Sequence, residues 1–260
     1  MRPTAIRRTA VAATVMSLAL LTAACGSDAS DKDGGDKGKA DGASPGKPAA
    51  AKALTAAELE KISLAQGDVK GNKVSKAGPE DAVSAGDVTV DKAACDVFGD
   101  ALMGAQSGSS ASSTQRKVIS EPKKGAGEDS ADLDEAFEAA FDITTTLTTL
   151  SSYEGKGAEE YLAGLRSAAT GCASGFTLTV GGTKQKIVKI AEEQVKGGED
   201  AVGWTVTIES EGDRTTMKLV QVRQGTTVAS FSAINLGAAA SGGGFEMPTA
   251  VIEAQAAKLI

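Results

Sequence analysis

The spacing of apolar residues changes along the chain, and each change marks an element. Leu54-Thr55-Ala56-Ala57-Glu58 carries a capping-box pattern and predicts a short helix to about Leu64. A strand is expected near Val69 to Val74 and a loop over Ala77 to Gly86. A helix should follow from about Asp91 to Met103, where Ala94, Val97, Phe98, Ala101 and Leu102 recur at helical spacing. Gln106 to Thr114 reads as loop, Gln115 to Ser120 as strand, and Glu121 to Gly127 as a turn. The threonine-rich stretch Phe141 to Leu150 predicts a strand, although Leu133 to Ala140 before it has a locally helical pattern. Ala158 to Cys172 is an amphipathic helix with Tyr161, Leu162, Leu165, Ala168, Ala169 and Cys172 on one side.

From Phe176 onward the period drops to two. Phe176, Leu178 and Val180 alternate before Gly181-Gly182, and Lys186 to Glu192 forms a second run. Val202, Trp204, Val206 and Ile208 then share a face. Glu211-Gly212-Asp213 turns into Thr215 to Val222, and Gln224-Gly225 turns into Thr227 to Leu236. Short turns between such strands describe an antiparallel meander. Ser241 to Gly244 links to a last helix near Pro248 to Leu259. The expected fold is α+β: a twisted antiparallel sheet of about six strands, packed against helices on one face.

The chain begins differently. Arg2, Arg7 and Arg8 precede an uncharged run from Thr9 to Ala24, the form of an export signal. The run is too short for a comfortable membrane span. Leu21-Thr22-Ala23-Ala24-Cys25 resembles the bacterial lipobox, with Thr22 where that pattern usually has Leu, Val or Ile. The resemblance implies cleavage before Cys25 and diacylglycerol on its sulfur, and with it a firm membrane anchor. The alternative is an ordinary secretory signal cut near Ala24. Gly26 to about Ala53 contains Gly, Ala, Ser, Asp, Lys and Pro with almost no large apolar residue. Such a segment is expected to stay disordered and to act as a tether reaching about 30 Å. Three parts are therefore expected: a signal peptide over 1–24, a lipidated tether over 25–53, and one extracytoplasmic domain over 54–260.

Charge and composition narrow the partners. Loss of the three arginines makes the exported chain more acidic than the net −7 of the whole, which disfavours nucleic acid and anionic lipid as charge-driven partners. Aromatic residues are only 3%, so the core must be aliphatic. With Cys25 assigned to lipid, Cys95 and Cys172 are the remaining pair. Outside the cytoplasm such a pair is expected to form a disulfide, a reactive free thiol being the alternative. No histidine is present, which removes Ser-His-Asp and Cys-His catalysis and His-ligated zinc from consideration.

The order of elements, and the passage Cys172-Ala173-Ser174-Gly175-Phe176 at a helix end, resemble the extracellular sensor domains of actinobacterial receptor Ser/Thr kinases of the PknH type and the lipoproteins that share that domain. The resemblance covers about Leu54 to Ile260. It implies a sheet packed on helices with a cleft for an unidentified ligand. Members typically carry two disulfides, whereas this chain can form one.

Candidate chemistry is sparse. Asp129, Asp132, Asp134 and Glu135 are the densest acidic cluster, but they lack a calcium-loop pattern and read as solvated residues near a helix start. Tyr153, Tyr161 and Trp204 are candidates for lining a ligand cleft, with core packing as the competing role for Trp204. No metal ligands, cofactor motif or catalytic residues are identified. The expected function is a non-enzymatic, membrane-anchored sensor-like module that binds a small molecule or envelope component. The alternative is an accessory lipoprotein that docks an envelope protein.

Overall fold

In the computed structural model, which describes residues 51–105, 108–122 and 140–259, the capping box forms as its spacing requires. Thr55 Oγ1 accepts from the Glu58 amide at 3.3 Å, and Glu58 Oε2 accepts from the Thr55 amide at 2.8 Å. The expected signal peptide, Cys25 and most of the tether lie outside the described residues. So do the cluster from Asp129 to Glu135 and the helical pattern ahead of Ala140. The described chain docks from its first residues: Gly155 donates to the Ala51 carbonyl at 2.7 Å, and Ala53 is buried.

Helix α1 (Ala56–Ile62) leads to strands β1 (Asn72–Lys76) and β2 (Val88–Val90). A 3-10 turn over Ala93–Cys95 then runs into α2 (Asp96–Leu102), β3 (Ser112–Ser120) and β4 (Thr144–Ser152). Helix α3 (Gly157–Gly171) precedes the meander β5 (Phe176–Val180), β6 (Thr183–Glu193), β7 (Asp200–Ser210), β8 (Asp213–Gln224) and β9 (Thr227–Asn235). Helices α4 (Leu236–Ser241) and α5 (Thr249–Ala256) follow. All strand pairings are antiparallel, and they join into one sheet in the order β1-β3-β4-β9-β8-β7-β6-β5-β2.

Among the described residues the sheet has nine strands, not about six. Two physical reasons account for the difference. Strand β2 is three residues long, too short for alternation to show, and it exists because Val88 to Val90 pair with Val180 to Leu178. Strands β1 and β3 join the meander sheet only through the long β4–β9 pairing, Thr144↔Asn235 to Ser152↔Thr227. Nothing local in the chain encodes that contact. The β4 strand also starts at Thr144, leaving Phe141 43% exposed in a turn.

Helices cover both faces, not one. Along β8, Leu219 joins a core with Phe98, Leu162, Leu165, Trp204 and Val206, while its neighbour Val220 joins another with Leu59, Val118, Phe231 and Ile252. Adjacent strand residues point to opposite faces, so α2 and α3 pack on one side and α1 and α5 on the other. Val228 and Ala229 of β9 divide between the two cores in the same way. A strand apolar on both sides needs cover on both sides.

Each cover has its own fastening. Cys95 and Cys172 form a buried disulfide, with Cα atoms 5.9 Å apart, between the start of α2 and the end of α3. Gly175 follows at φ +89°, where an added Cβ would stand 2.5 Å from the Ile187 carbonyl oxygen, so glycine is what lets α3 turn directly into β5. On the opposite face, Gln255 of α5 is fully buried; its amide donates to Ile62 O at 2.8 Å and accepts from Leu64 N at 3.1 Å. Arg116 of β3 donates to Leu64 O at 3.1 Å and to Glu60 Oε2 at 2.7 Å. The Arg116 and Thr114 hydrogen bonds hold the Glu60 carboxyl down to about 2.

Asp100 of α2 is the opposite case. Its Oδ1 is buried without a hydrogen-bond partner among the described residues, and desolvation, followed by repulsion from Asp96, raises its pKa to about 6.

Two predictions follow from these contacts. The Cys95→Ala/Cys172→Ala variant should lose about 2–5 kcal/mol, and a thermal melt should show Tm falling by roughly 5–15 °C. An unchanged Tm in the variant, together with free thiols at Cys95 and Cys172 of the unsubstituted protein by intact mass, would refute the bridge. For Asp100, the folded protein binds the proton more tightly than the unfolded chain, so stability should fall as pH rises from about 4 to about 6. Asp100→Asn should therefore gain on the order of 1–2 kcal/mol at about pH 7 and nothing near pH 4. Urea melts at the two pH values provide the check.

Candidate functional site

Four strand ends converge at one corner of the sheet. Antiparallel pairing sets Asn72 of β1 opposite Ser120 of β3, and Thr144 of β4 opposite Asn235 of β9. These residues share the face that carries α1 and α5, because Val74, Val118 and Phe231 of the same strands belong to that core. The helical cover stops short of this corner, leaving a cleft of about 770 Å³. Its floor is Asn72, Ser120, Thr144, Thr146 and Asn235. Its wall is α4, the link from Gly244 to Pro248 and the first turn of α5, and Glu121, Asp142 and Glu246 complete the lining. A volume of this size suits a small organic ligand.

Asn235 organises the corner. Its buried side chain caps α4 by accepting from Ala238 N at 2.9 Å. Its amide nitrogen donates to Asp142 Oδ1 at 2.8 Å and Thr144 Oγ1 at 3.0 Å. Ser120 Oγ accepts from Thr144 N at 2.8 Å, tying the end of β3 to the start of β4. The floor is thus held by side chains on strand ends and not by a loop.

The glycine-rich link that follows α4 is held from below. Lys218 of β8 is buried; its Nζ donates to Glu193 Oε1 at 2.9 Å and Thr205 Oγ1 at 2.7 Å and lies 5.8 Å from the centre of the Phe245 ring. Thr205 also hydrogen-bonds Glu193. A smaller recess of about 520 Å³ between Lys218, Glu193 and the link adjoins the main cleft, sharing Gly244 to Met247 with it.

The aromatic residues singled out from the sequence sit elsewhere. Trp204 is 2% exposed and packs edge-on against Phe98 at 5.4 Å, inside the core beneath α2 and α3. Tyr153 and Tyr161 stack at 5.5 Å in and against that same core, and burial pushes the Tyr153 hydroxyl pKa well up. None of the three lines the cleft. Cys95 and Cys172 are joined, while Cys25 lies outside the described residues. Among the described residues, no group of three or more Asp, Glu, Cys or His side chains is placed to hold a metal ion.

Sequence reasoning missed Asn72, Ser120, Thr144 and Asn235, which come from four segments and meet only through strand pairing. One local signal existed: Asn235 follows a strongly apolar strand, a position suited to a helix cap.

No protein-family model matches the chain, and no curated protein matches it. Among solved structures, the extracellular domain of PknH from Mycobacterium tuberculosis is similar over 80% of this chain and 95% of that domain, with 14% sequence identity and a TM-score of 0.47.

Proposed function

We propose that this protein is a lipoprotein whose folded domain, held outside the cell membrane by lipid on Cys25, binds a small envelope-derived molecule without chemically changing it. The cleft at the sheet corner carries this reading. It is concave, built on strand ends, and lined by both polar and apolar groups. The absence of histidine from the whole chain supports binding over nucleophilic catalysis. The arginine-led signal pattern and Leu21-Thr22-Ala23-Ala24-Cys25 support export and anchorage. The buried Cys95–Cys172 bridge suits an oxidising compartment. No helix among the described residues is long and apolar enough to cross a membrane.

One observation favours a second reading, docking of an envelope protein. Phe141 and Leu236 are 43% and 47% exposed, and Leu236 N and Gly237 N donate to Ile143 O and Phe141 O, which places the two side chains' segments side by side at the cleft's edge. Under that reading Phe141→Ser/Leu236→Ser abolishes cross-linking to the partner and leaves the cleft unaffected.

The Cys25→Ala variant should move from the membrane fraction to the soluble fraction, followed by immunoblot of both. Retention in the membrane would refute lipid anchorage. Native mass spectrometry of the released protein should show a small-molecule adduct that Ala250→Trp, an exposed change in the cleft wall, removes. An adduct that persists in Ala250→Trp places binding elsewhere and refutes the cleft.

A further inference from the structure

We infer that the cleft selects an organic cation, a molecule bearing ammonium groups, because the charged side chains of its described lining are all carboxylates. This inference rests on the reading of the cleft as a ligand site.

Among the described residues, the lining contains Glu121, Asp142 and Glu246 but no lysine or arginine. The side-chain N–H donors on the floor are the amides of Asn72 and Asn235; Asn235 uses both of its N–H groups within the protein, and Asn72 uses one of its two. Asn72 Nδ2 donates to Lys70 O at 3.1 Å, and Asn235 Nδ2 donates to Asp142 and Thr144. What remains for a ligand is carboxylate oxygen, hydroxyls that donate or accept, and one Asn72 N–H, so every charged group in the described lining is an acceptor. The side chains of Glu121 and Glu246 make no hydrogen bond or ion pair among the described residues, and both are exposed at the cleft. The nearest buried cation, Lys218, is neutralised by Glu193 and lies behind Phe245.

The first turn of α5 works in the other direction, since a helix N-terminus favours an anion. The amides of Thr249, Val251 and Ile252 are already bonded to Met247 O and Pro248 O, so little of that terminus is free. Its macrodipole amounts to roughly half a positive charge, which three carboxylates outweigh. A bare metal ion fits poorly, because the described acidic side chains do not converge on one point. Separated carboxylates around a cleft of about 770 Å³ suit a larger molecule whose ammonium groups are spread apart.

The test is calorimetric titration of the full chain carrying Cys25→Ala with spermidine, sorbitol and citrate as cationic, neutral and anionic probes. Spermidine should bind, more weakly as salt rises, and Ala250→Trp should abolish binding. Glu121→Gln/Glu246→Gln should weaken it roughly tenfold, the loss expected for two partly exposed charges, with an unchanged melting temperature. Binding of citrate or sorbitol in preference, failure of spermidine to bind, or spermidine affinity indifferent to the double substitution each overturns the selection of cations. The reading of the cleft as a ligand site fails separately, if a co-purifying adduct survives Ala250→Trp.

Discussion

The central strands are apolar on both sides, and most of the architecture answers that constraint. Leu219 and Val220 in β8, like Val228 and Ala229 in β9, point into different cores. A sheet with such strands at its centre would expose a large apolar surface if only one face were covered, at a cost of about 25 cal/mol for each Å² left in water. The helices are therefore divided: α2 and α3 on one side, α1 and α5 on the other. The strands toward the edges are more polar. Strand β6, paired with β5 and β7, carries exposed Lys184, Lys186, Lys189 and Glu192 around buried Ile187 and has a register shift beside Val188.

The two covers are fastened by different chemistry. On the side of α2 and α3, a covalent bridge closes a separation of 77 residues, and an edge-to-face cluster of Phe98, Phe176 and Trp204 fills the space beneath it. On the other side the fastening is polar. Gln255 joins the last helix to the end of the first, and Arg116 binds the same segment from the sheet. These are buried groups with their hydrogen bonds made, so removing one partner would strand the other. The first and last described helices are thereby locked to each other across 191 positions of sequence.

The candidate site lies where the second cover ends. Helices α4 and α5 and their link wall the corner formed by β1, β3, β4 and β9 without filling it, so polar strand ends face a cleft. Asn235 serves structure and site together, since the contacts that cap α4 also orient Asp142 and Thr144 on the floor. The acidic lining matches the acidic balance of the chain, and Asn235 spends both of its amide N–H groups within the protein.

Much of this protein was legible in its residues. The Thr55–Glu58 cap, the amphipathic helix ending at Cys172 and the five-strand meander follow from short-range pattern, because each depends on neighbours within a few positions, and the pairing of Cys95 with Cys172 was expected once Cys25 was set aside for lipid. Pattern also marked Trp204 as lying in phase with aliphatic neighbours, but Tyr153 and Tyr161, proposed as cleft residues, pack with the opposite core. The number of strands, the division of helices between faces and the cleft itself were decided by tertiary structure. Each arises from pairings such as Thr144 with Asn235, between segments far apart in the chain, whose register depends on burial of both sheet faces at once and leaves no local signature.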